Sequence, residues 1–186
     1  MRIISGSLKG KTINYLKNST TRPLKDLVKE NIFNIITHSS LFKVELNNSN
    51  VLDLYSGVGS FGIECLSRGV RKVTFVENDL NALNTLKKNL TLLSLNNRAE
   101  VVDTSVEFFL KKEKTFKYDF FFFDPPFADK TFIENLQFFK KSKVYKNSHV
   151  VVIHRDKKSE ENLNDYLNIF LTRKYGRSKI IFGSFK

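Results

Sequence analysis

The sequence predicts an α/β fold built on a doubly wound, mostly parallel sheet with helices on both faces. Three observations predict it. From Asn50 onward, short apolar segments alternate with segments of helical periodicity, the order typical of parallel β-α units. Most of the apolar segments are uninterrupted, as expected for strands buried on both faces. The last two are separated only by a turn around Gly176, which predicts an antiparallel hairpin at the end of the sheet.

The chain length fits a single domain. It has 186 residues, and no repeat or Pro/Ser-rich linker divides it, whereas domains usually hold roughly 100–200 residues. We therefore expect one domain over residues 1–186, with an N-terminal appendage over 1–45 and a core over 50–186.

The appendage is predicted to be a hairpin followed by a helix. The opening MRIISGSLKGKTINYL has two short extended runs, around Ser5-Gly6-Ser7 and Lys9-Gly10. In the segment TRPLKDLVKENIFNII, Pro23 stands at the helix start, where proline is tolerated. The apolar residues of this helix recur at helical spacing and predict one buried face: Leu24, Leu27, Val28, Ile32, Ile35 and Ile36.

The core elements follow in alternation. The predicted strands are VLDLY, KVTFVE, AEVVD, YDFFFFD and HVVVIH, and then two in LNIFLTRKYGRSKIIFGSF. The predicted helices are GSFGIECLSRG, LNALNTLKKNLTLL with Leu80, Leu83, Leu86 and Leu90 on one side, one near Val106 to Lys112, and one from Thr131 to about Phe139.

The composition favours a polyanionic partner and a reducing environment. There are 31 Lys and Arg residues against 19 Asp and Glu, a formal net charge of +12, and such a basic chain attracts nucleic acid. The single cysteine, Cys65, cannot form an internal disulfide, so we interpret it as a core residue of a cytoplasmic protein. The three histidines lie in unrelated segments, so we expect no metal. No window approaches the ~18 apolar residues of a membrane span, and we expect no membrane partner.

A glycine-rich loop between a strand and a helix predicts a ribose-containing cofactor. Gly57, Gly59 and Gly62 have the spacing G-x-G-x-x-G, and Glu77 ends the next strand, 20 residues after Gly57. Glycines let the backbone turn sharply and approach a ligand, while the acid accepts hydrogen bonds from ribose hydroxyls. The pattern alone suits NAD as well as other cofactors.

The acid that precedes this loop favours one cofactor over another. Asp53 lies four residues before Gly57. It would attract the ammonium group of S-adenosylmethionine and repel a pyrophosphate, which favours S-adenosylmethionine over a dinucleotide. Ser56 and Asn78, which flank the loop and the ribose acid, complete the predicted cofactor site.

The segment YDFFFFDPPF ends the most apolar strand with an acid and a rigid turn. Asp124, Pro125, Pro126 and Phe127 follow four phenylalanines, and ligands of open α/β sheets bind at such strand ends. The two prolines fix the backbone. A planar base can stack on Phe127 while its exocyclic amine donates to Asp124 and to a carbonyl of the turn. Two acceptors orient the amine toward a methyl donor. No covalent intermediate is required, and we expect no Ser/His/Asp constellation.

Together these motifs resemble a known enzyme family. The loop DLYSGVGSFGIE, the acid in FVEND and the DPPF turn are similar to class I S-adenosylmethionine-dependent methyltransferases that modify exocyclic amines. The closer resemblance is to the bacterial guanine-N2 methyltransferases of 16S ribosomal RNA. It extends over the opening RIISGSLKGK, the closing YGRSKIIF and an Arg-Pro segment with Arg22, Pro23, Lys29, Glu30, Phe33 and Asn34.

The resemblance implies a seven-stranded sheet, a cofactor bound by the glycine loop with Asp53 and Glu77, and a guanine held by Asp124 to Phe127. The family often places an acidic or amide residue against the adenine after the third strand. Here VVDTSVEFF leaves either Asp103 or Ser105 for that contact.

The implied substrate is ribosomal RNA or the small ribosomal subunit. The target guanine would have to leave its stack, which costs a few kcal/mol. Basic residues would offset that cost, and we expect phosphate contacts from Arg2, Lys9, Lys11 and Arg22. We expect the protein to act as a monomer.

Three alternatives stay open on the sequence. The same turn suits a DNA adenine-N6 or cytosine-N4 methyltransferase, although such enzymes generally need a target-recognition region. The glycine loop also suits an NAD-dependent oxidoreductase. The third alternative is a non-catalytic RNA-binding module that retains an old fold.

Overall fold

The computed structural model describes residues 1–16, 24–112 and 116–186. The helices are α1 (Asp26–His38), α2 (Ser60–Ser67), α3 (Leu80–Leu92), α4 (Val106–Lys112) and α5 (Phe132–Ser142). The strands are β1 (Asn50–Leu54), β2 (Lys72–Glu77), β3 (Ala99–Asp103), β4 (Tyr118–Phe123), β5 (Tyr145–Asp156), β6 (Leu167–Tyr175) and β7 (Ser178–Phe185). None of the helices in these ranges is both long and apolar enough to cross a membrane.

The described strands form one seven-stranded sheet in the order β3-β2-β1-β4-β5-β7-β6. The first five are parallel, and β7 pairs antiparallel with both β5 and β6. The prediction of a doubly wound sheet that ends in a hairpin is confirmed. The strand order reverses between β1 and β4, which is the point where ligands bind in such sheets.

Each face of the sheet has its own apolar core, and the phenylalanines of β4 supply both. Phe120 and Phe122 pack with α1, α2 and α3 on one face. Phe121 and Phe123 pack with α4 and α5 on the other. Successive side chains of a strand point to opposite faces, so four adjacent phenylalanines anchor β4 from both sides. Cys65 is fully buried in the first core, as predicted.

The appendage packs on the first face. A single antiparallel bridge, Arg2 to Thr12, closes the opening segment into a hairpin-like loop without regular strands. The predicted helix start, Pro23, lies outside the described residues, and α1 begins at Asp26. Leu27, predicted on the buried face of its helix, is 65% exposed, so that prediction is wrong. Leu80, predicted on one side of its helix with three other leucines, is 68% exposed.

The reason for the error at Leu27 is the rotation of α1 about its axis. Lys29 and Phe33 are both fully buried, which turns the buried arc away from Leu27. A buried lysine was not expected from the apolar pattern.

That lysine belongs to a polar cluster between α1, α2 and the opening segment. Lys29 Nζ lies 3.6 Å from Glu64 Oε2, with neither side chain exposed. Glu64 also accepts hydrogen bonds from the amides of Ile4 and Ser5, at 2.8 and 3.0 Å. Arg68 Nε donates to the same carboxylate at 2.8 Å. The cluster fixes the appendage to the core.

Candidate active site

The glycine loop and the Asp-Pro-Pro-Phe turn are neighbours because their strands are neighbours. Leu54, at the end of β1, pairs with Phe123, at the end of β4. The amide of Asp124 donates to the carbonyl of Leu54 at 3.3 Å. Both motifs therefore leave the same edge of the sheet, side by side, at the point where the strand order reverses.

The loop after β1 has an unusual backbone. Gly57 and Gly59 have φ angles of +54° and +86°, and Tyr55 has φ of +57° although it is not a glycine. Positive φ in a bulky residue is strained and clusters at functional sites. The Tyr55 hydroxyl accepts a hydrogen bond from Asn135 at 2.8 Å, and burial raises its pKa to about 12. Sequence reasoning did not single out Tyr55 or Asn135.

The two loop glycines are needed for different reasons. A Cβ on Gly59 would lie 2.4 Å from Leu86 Cδ1, so this glycine lets α2 begin against α3. A Cβ on Gly57 would meet no atom of the described residues within 4 Å. The backbone at Gly57 is consequently open to a ligand.

Glu77 connects the end of β2 to this loop. Its Oε2 accepts from the amide of Gly57 at 2.7 Å. Its Oε1 accepts from the amides of Asn78 and Asp79 at 2.8 and 2.9 Å. The structure thus brings Glu77 to the loop, as predicted, and Asn78 lies exposed beside it.

A buried serine in the loop is left without a partner. Ser56 Oγ is buried and has no hydrogen-bond partner within the ranges that the structure describes. Such groups are rare, because each costs about 1–3 kcal/mol. An unpartnered hydroxyl, an open glycine backbone and a carboxylate at the next strand end together fit a nucleoside-containing cofactor.

Asp53 lies beneath the loop. It is 1% exposed, and its Oδ2 accepts from the amide of Gly62 at 2.9 Å. Burial raises the pKa of Asp53 well above its usual value near 3.8, and the neighbouring Asp124 and Glu77 raise it further, against the Gly62 hydrogen bond. Three acids therefore gather where the two motifs meet.

The structure separates the roles of the two candidate adenine contacts. Ser105 Oγ accepts from the amide of Phe108 at 3.3 Å and caps the start of α4. Asp103 is exposed at the end of β3 and pairs in register with Glu77. Asp103 is the one whose side chain is free to face a ligand beside Glu77.

The turn after β4 presents an acid and an aromatic ring to solvent. The Asp124 side chain is 24% exposed, and Phe127 is 43% exposed. Pro125 is buried and Pro126 is exposed. A planar group therefore has access to the Phe127 ring.

Two residues at the end of β5 form hydrogen bonds with this turn, and the sequence did not predict them. His154 Nδ1 lies 2.8 Å from Asp124 Oδ1. Arg155 donates to the carbonyls of Pro126 and Phe127 at 3.1 and 3.2 Å. Consecutive strand residues point to opposite faces, so the turn is held from both sides. The available signal was that two polar residues, His154 and Arg155, directly follow the apolar run VVVI.

Arg155 is itself held in place. It is 3% exposed, its Nη2 lies 2.6 Å from Glu161 Oε1, and its guanidinium lies 4.2 Å from the centre of the Phe132 ring. A buried arginine that satisfies several carbonyls makes the turn rigid.

The expectation that the chain has no Ser/His/Asp constellation is wrong. His154 Nε2 lies 2.9 Å from Ser178 Oγ, and His154 Nδ1 contacts Asp124. These residues come from β5, β7 and the end of β4, which become neighbours only through the strand order. Within the described parts of the chain, no cluster of His, Cys, Asp and Glu is placed to hold a metal ion.

Arg2, one of the predicted phosphate contacts, lies beside the start of α2. Its carbonyl accepts from Lys29 Nζ at 2.9 Å, and that amine also lies 3.4 Å from the hydroxyl of Ser60, the first residue of α2. The Arg2 side chain is 70% exposed and lies 3.6 Å from Asp26. Arg22 lies outside the described residues.

Lys9 is placed differently. The amide of Ser7 donates to the carbonyl of Ser67 at 2.8 Å, and Ser67 ends α2, which runs from the loop back to the opposite edge of the sheet. The turn that contains Lys9 therefore lies at the edge remote from the glycine loop. Lys11 is exposed, and its carbonyl accepts from the amide of Ile3 at 2.9 Å.

Comparison with known proteins identifies the family. The family model described as Conserved hypothetical protein 95 matches residues 1–184. The chain belongs to this family. The chain is a class I S-adenosylmethionine-dependent methyltransferase, so the resemblance predicted from the motifs is confirmed. S-adenosylmethionine is the cofactor, and the NAD alternative is wrong.

Relatives of this methyltransferase extend over most of its length. Ribosomal RNA small subunit methyltransferase D of Haemophilus influenzae is 39% identical over 129 residues, 68% of this chain and 64% of that protein. The Bacillus subtilis protein YlbH, provisionally named an rRNA methyltransferase, is 34% identical over 180 residues, 94% of this chain and 92% of that protein.

A solved structure shares the fold. The Escherichia coli protein yhhF, provisionally named a methyltransferase, superposes with a TM-score of 0.84. It is 22% identical and the match covers 100% of this chain and 98% of that one.

Proposed function

We propose that this methyltransferase methylates the exocyclic N2 amine of a guanine in small-subunit ribosomal RNA. One observation supports the proposal most strongly: Asp124 follows the strand that pairs with the glycine-loop strand, with its side chain partly open to solvent. An acceptor for an amine thus lies beside the cofactor loop.

The residues of the chain have distinct roles in this proposal. Ser56, Gly57, Gly59, Glu77 and Asn78 would hold the cofactor, with Asp103 against its base and Asp53 shaping the loop from below. When bound, S-adenosylmethionine supplies an activated methyl group, so no covalent bond to the enzyme is needed.

The turn would bind and orient the target. Phe127 would stack on the guanine, and Asp124 Oδ2 would accept an N–H of the amine and take the proton that the amine gives up. The backbone that Pro125 and Pro126 stiffen, held by Arg155, keeps these groups in position before the substrate arrives.

The choice of RNA over DNA follows from the relatives and the charge. Two of the named relatives are described by action on rRNA, and the chain has a net charge of +12. Arg2 would contact phosphates near the site, whereas Lys9 would need RNA that reaches the opposite edge. Lys11 and Arg22 stay predicted phosphate contacts. We propose that the protein acts in the cytoplasm as a monomer and that its partner is ribosomal RNA or the small ribosomal subunit.

Methyl transfer to defined substrates tests the proposal. The protein is incubated with labelled S-adenosylmethionine and either small ribosomal subunits, naked 16S RNA or duplex DNA, and modified nucleosides are identified by mass spectrometry. We expect N2-methylguanosine in RNA. Label in DNA alone, or in a different RNA nucleoside, would overturn the assignment.

A further inference from the structure

His154 joins three elements of the active-site edge. Its side chain is 7% exposed, with Nδ1 at 2.8 Å from Asp124 Oδ1 and Nε2 at 2.9 Å from Ser178 Oγ. It also meets the Phe127 ring edge-on, with centroids 5.5 Å apart. One imidazole therefore contacts both the acceptor and the stacking ring of the target site.

The chemistry of the partners assigns the protons. An ionised carboxylate only accepts hydrogen bonds, so Nδ1 bears the hydrogen that faces Asp124. In the neutral ring Nε2 then has a free lone pair, and the Ser178 hydroxyl donates to it. The direction of donation runs from Ser178 to His154 to Asp124.

This chain leaves one oxygen of the acid open. Among the described residues, Asp124 Oδ1 is hydrogen-bonded to His154, and no side chain or amide reaches Oδ2. A carboxylate with one oxygen fixed cannot rotate freely, so the direction in which Oδ2 points is set by the imidazole.

We propose that His154 is a positioning residue for methyl transfer, which holds Asp124 so that Oδ2 faces the target amine, while Ser178 fixes the tautomer of the ring. The inference rests on the proposed role of Asp124 as the acceptor for an exocyclic amine. His154 keeps its Nδ1 hydrogen throughout and does not touch the substrate amine.

Three variants distinguish a positioning role of the imidazole nitrogens from a role of the side-chain volume alone. His154→Phe keeps a planar ring and removes both nitrogens. His154→Asn keeps an N–H near the place of Nδ1 but loses the link to Ser178. Ser178→Ala leaves the imidazole and removes only the hydroxyl that selects its tautomer.

Kinetics on ribosomal RNA give the first readout. Misplacement of a reacting group by about 1 Å can cost roughly 100-fold in rate, so we expect His154→Phe to lower kcat by about 10–100-fold. KM for RNA and Kd for S-adenosylhomocysteine should stay within about twofold. His154→Asn should recover most of kcat. This recovery should not depend on whether its melting temperature is lower than that of the wild type. Unchanged kcat in His154→Phe, or equal loss in both variants, would overturn the inference.

A second readout needs no RNA. Nitrogen-15 NMR of the free wild-type protein should show the Nδ1–H tautomer of His154, and Ser178→Ala should show a mixture of tautomers. An Nε2–H tautomer in the wild type would overturn this inference alone. Failure of the wild type to methylate small-subunit RNA would instead overturn the proposed function, and the NMR result would still decide the geometry.

Discussion

Two buried acids of this molecule, Glu64 and Asp53, have opposite surroundings. Glu64, under the appendage, lies against two cations, Lys29 and Arg68, and two backbone amides. Asp53, at the catalytic edge, lies near two further acids that raise its pKa beyond the effect of burial. In the described ranges, neither Lys nor Arg forms an ion pair with Asp53, Asp124 or Glu77.

The difference indicates what each group is for. A buried acid whose charge is compensated stabilises the contact between two parts of the fold, because every buried donor and acceptor is satisfied. Uncompensated acids destabilise the fold and are found at functional sites. Like charges left together suit a cationic cofactor, and S-adenosylmethionine bears a sulfonium and an ammonium group. Four substitutions test this contrast.

The largest effect on stability is expected at the compensated acid. Glu64→Ala leaves Lys29 and two amides without their partner, and removal of one member of a buried ion pair costs about 3–5 kcal/mol. Urea unfolding measures this loss. The control is Glu107→Ala, because Glu107 is half-exposed and, among the described residues, pairs with Lys111 alone, which predicts a loss below about 1 kcal/mol. Equal losses of unfolding free energy in the two variants would show that Glu64 does not stabilise the contact between the appendage and the core.

The largest effect on activity is expected at the open acid. Asp124→Ala should lower kcat by roughly 100–1000-fold, the usual effect of losing a preorganised acceptor or donor at the reacting group. Isothermal titration should show nearly unchanged affinity for S-adenosylhomocysteine. Glu160→Ala, which removes an exposed carboxylate after β5, should leave kcat intact. Full activity of Asp124→Ala would show that the turn is only structural.

Two glycines with similar backbone angles separate strain from ligand contact. Gly57 and Gly176 have φ of +54° and +58°, and a Cβ on either meets nothing within 4 Å among the described residues. Alanine at each should lower the unfolding free energy by about 1–2 kcal/mol. Only Gly57→Ala should also weaken S-adenosylhomocysteine binding, by about tenfold or more. Equal binding in both variants would place the cofactor away from the loop.

The smallest effect concerns the pH dependence of stability. Because the pKa of Asp53 is raised in the folded state, its stabilising contribution is present at low pH and is lost as pH rises through the folded pKa. Asp53→Asn does not ionise and keeps an oxygen for the Gly62 amide. Its stability relative to wild type should therefore increase from pH 4 upward.

Thermal unfolding between pH 4 and pH 8 follows that difference. Asp165→Asn, at an exposed carboxylate, should show a flat difference over the same range. A flat difference for Asp53→Asn as well would mean that neither burial nor the neighbouring acids raise the pKa of Asp53 in the folded protein.

Much of the active-site edge was predictable from local sequence. The carboxyl ends of parallel strands meet at one edge, so Asp124 and Gly57 were expected close together once their segments were recognised as strands. The helix faces were less predictable: Leu27 and Leu80 are exposed, because helical spacing does not show how far a helix is rotated when residues such as Lys29 are buried.

Local order along the chain was thus sufficient for the strands, the turns and the two motifs at strand ends, since side-chain periodicity and the chemistry of Gly and Pro act over a few residues. Only the tertiary structure showed that His154 and Arg155 bind the Asp-Pro-Pro-Phe turn and that Ser178 binds His154. It also showed that Lys9 lies far from the glycine loop. Those contacts join elements 24 to 60 residues apart, and their distance depends on strand order and packing across the whole sheet.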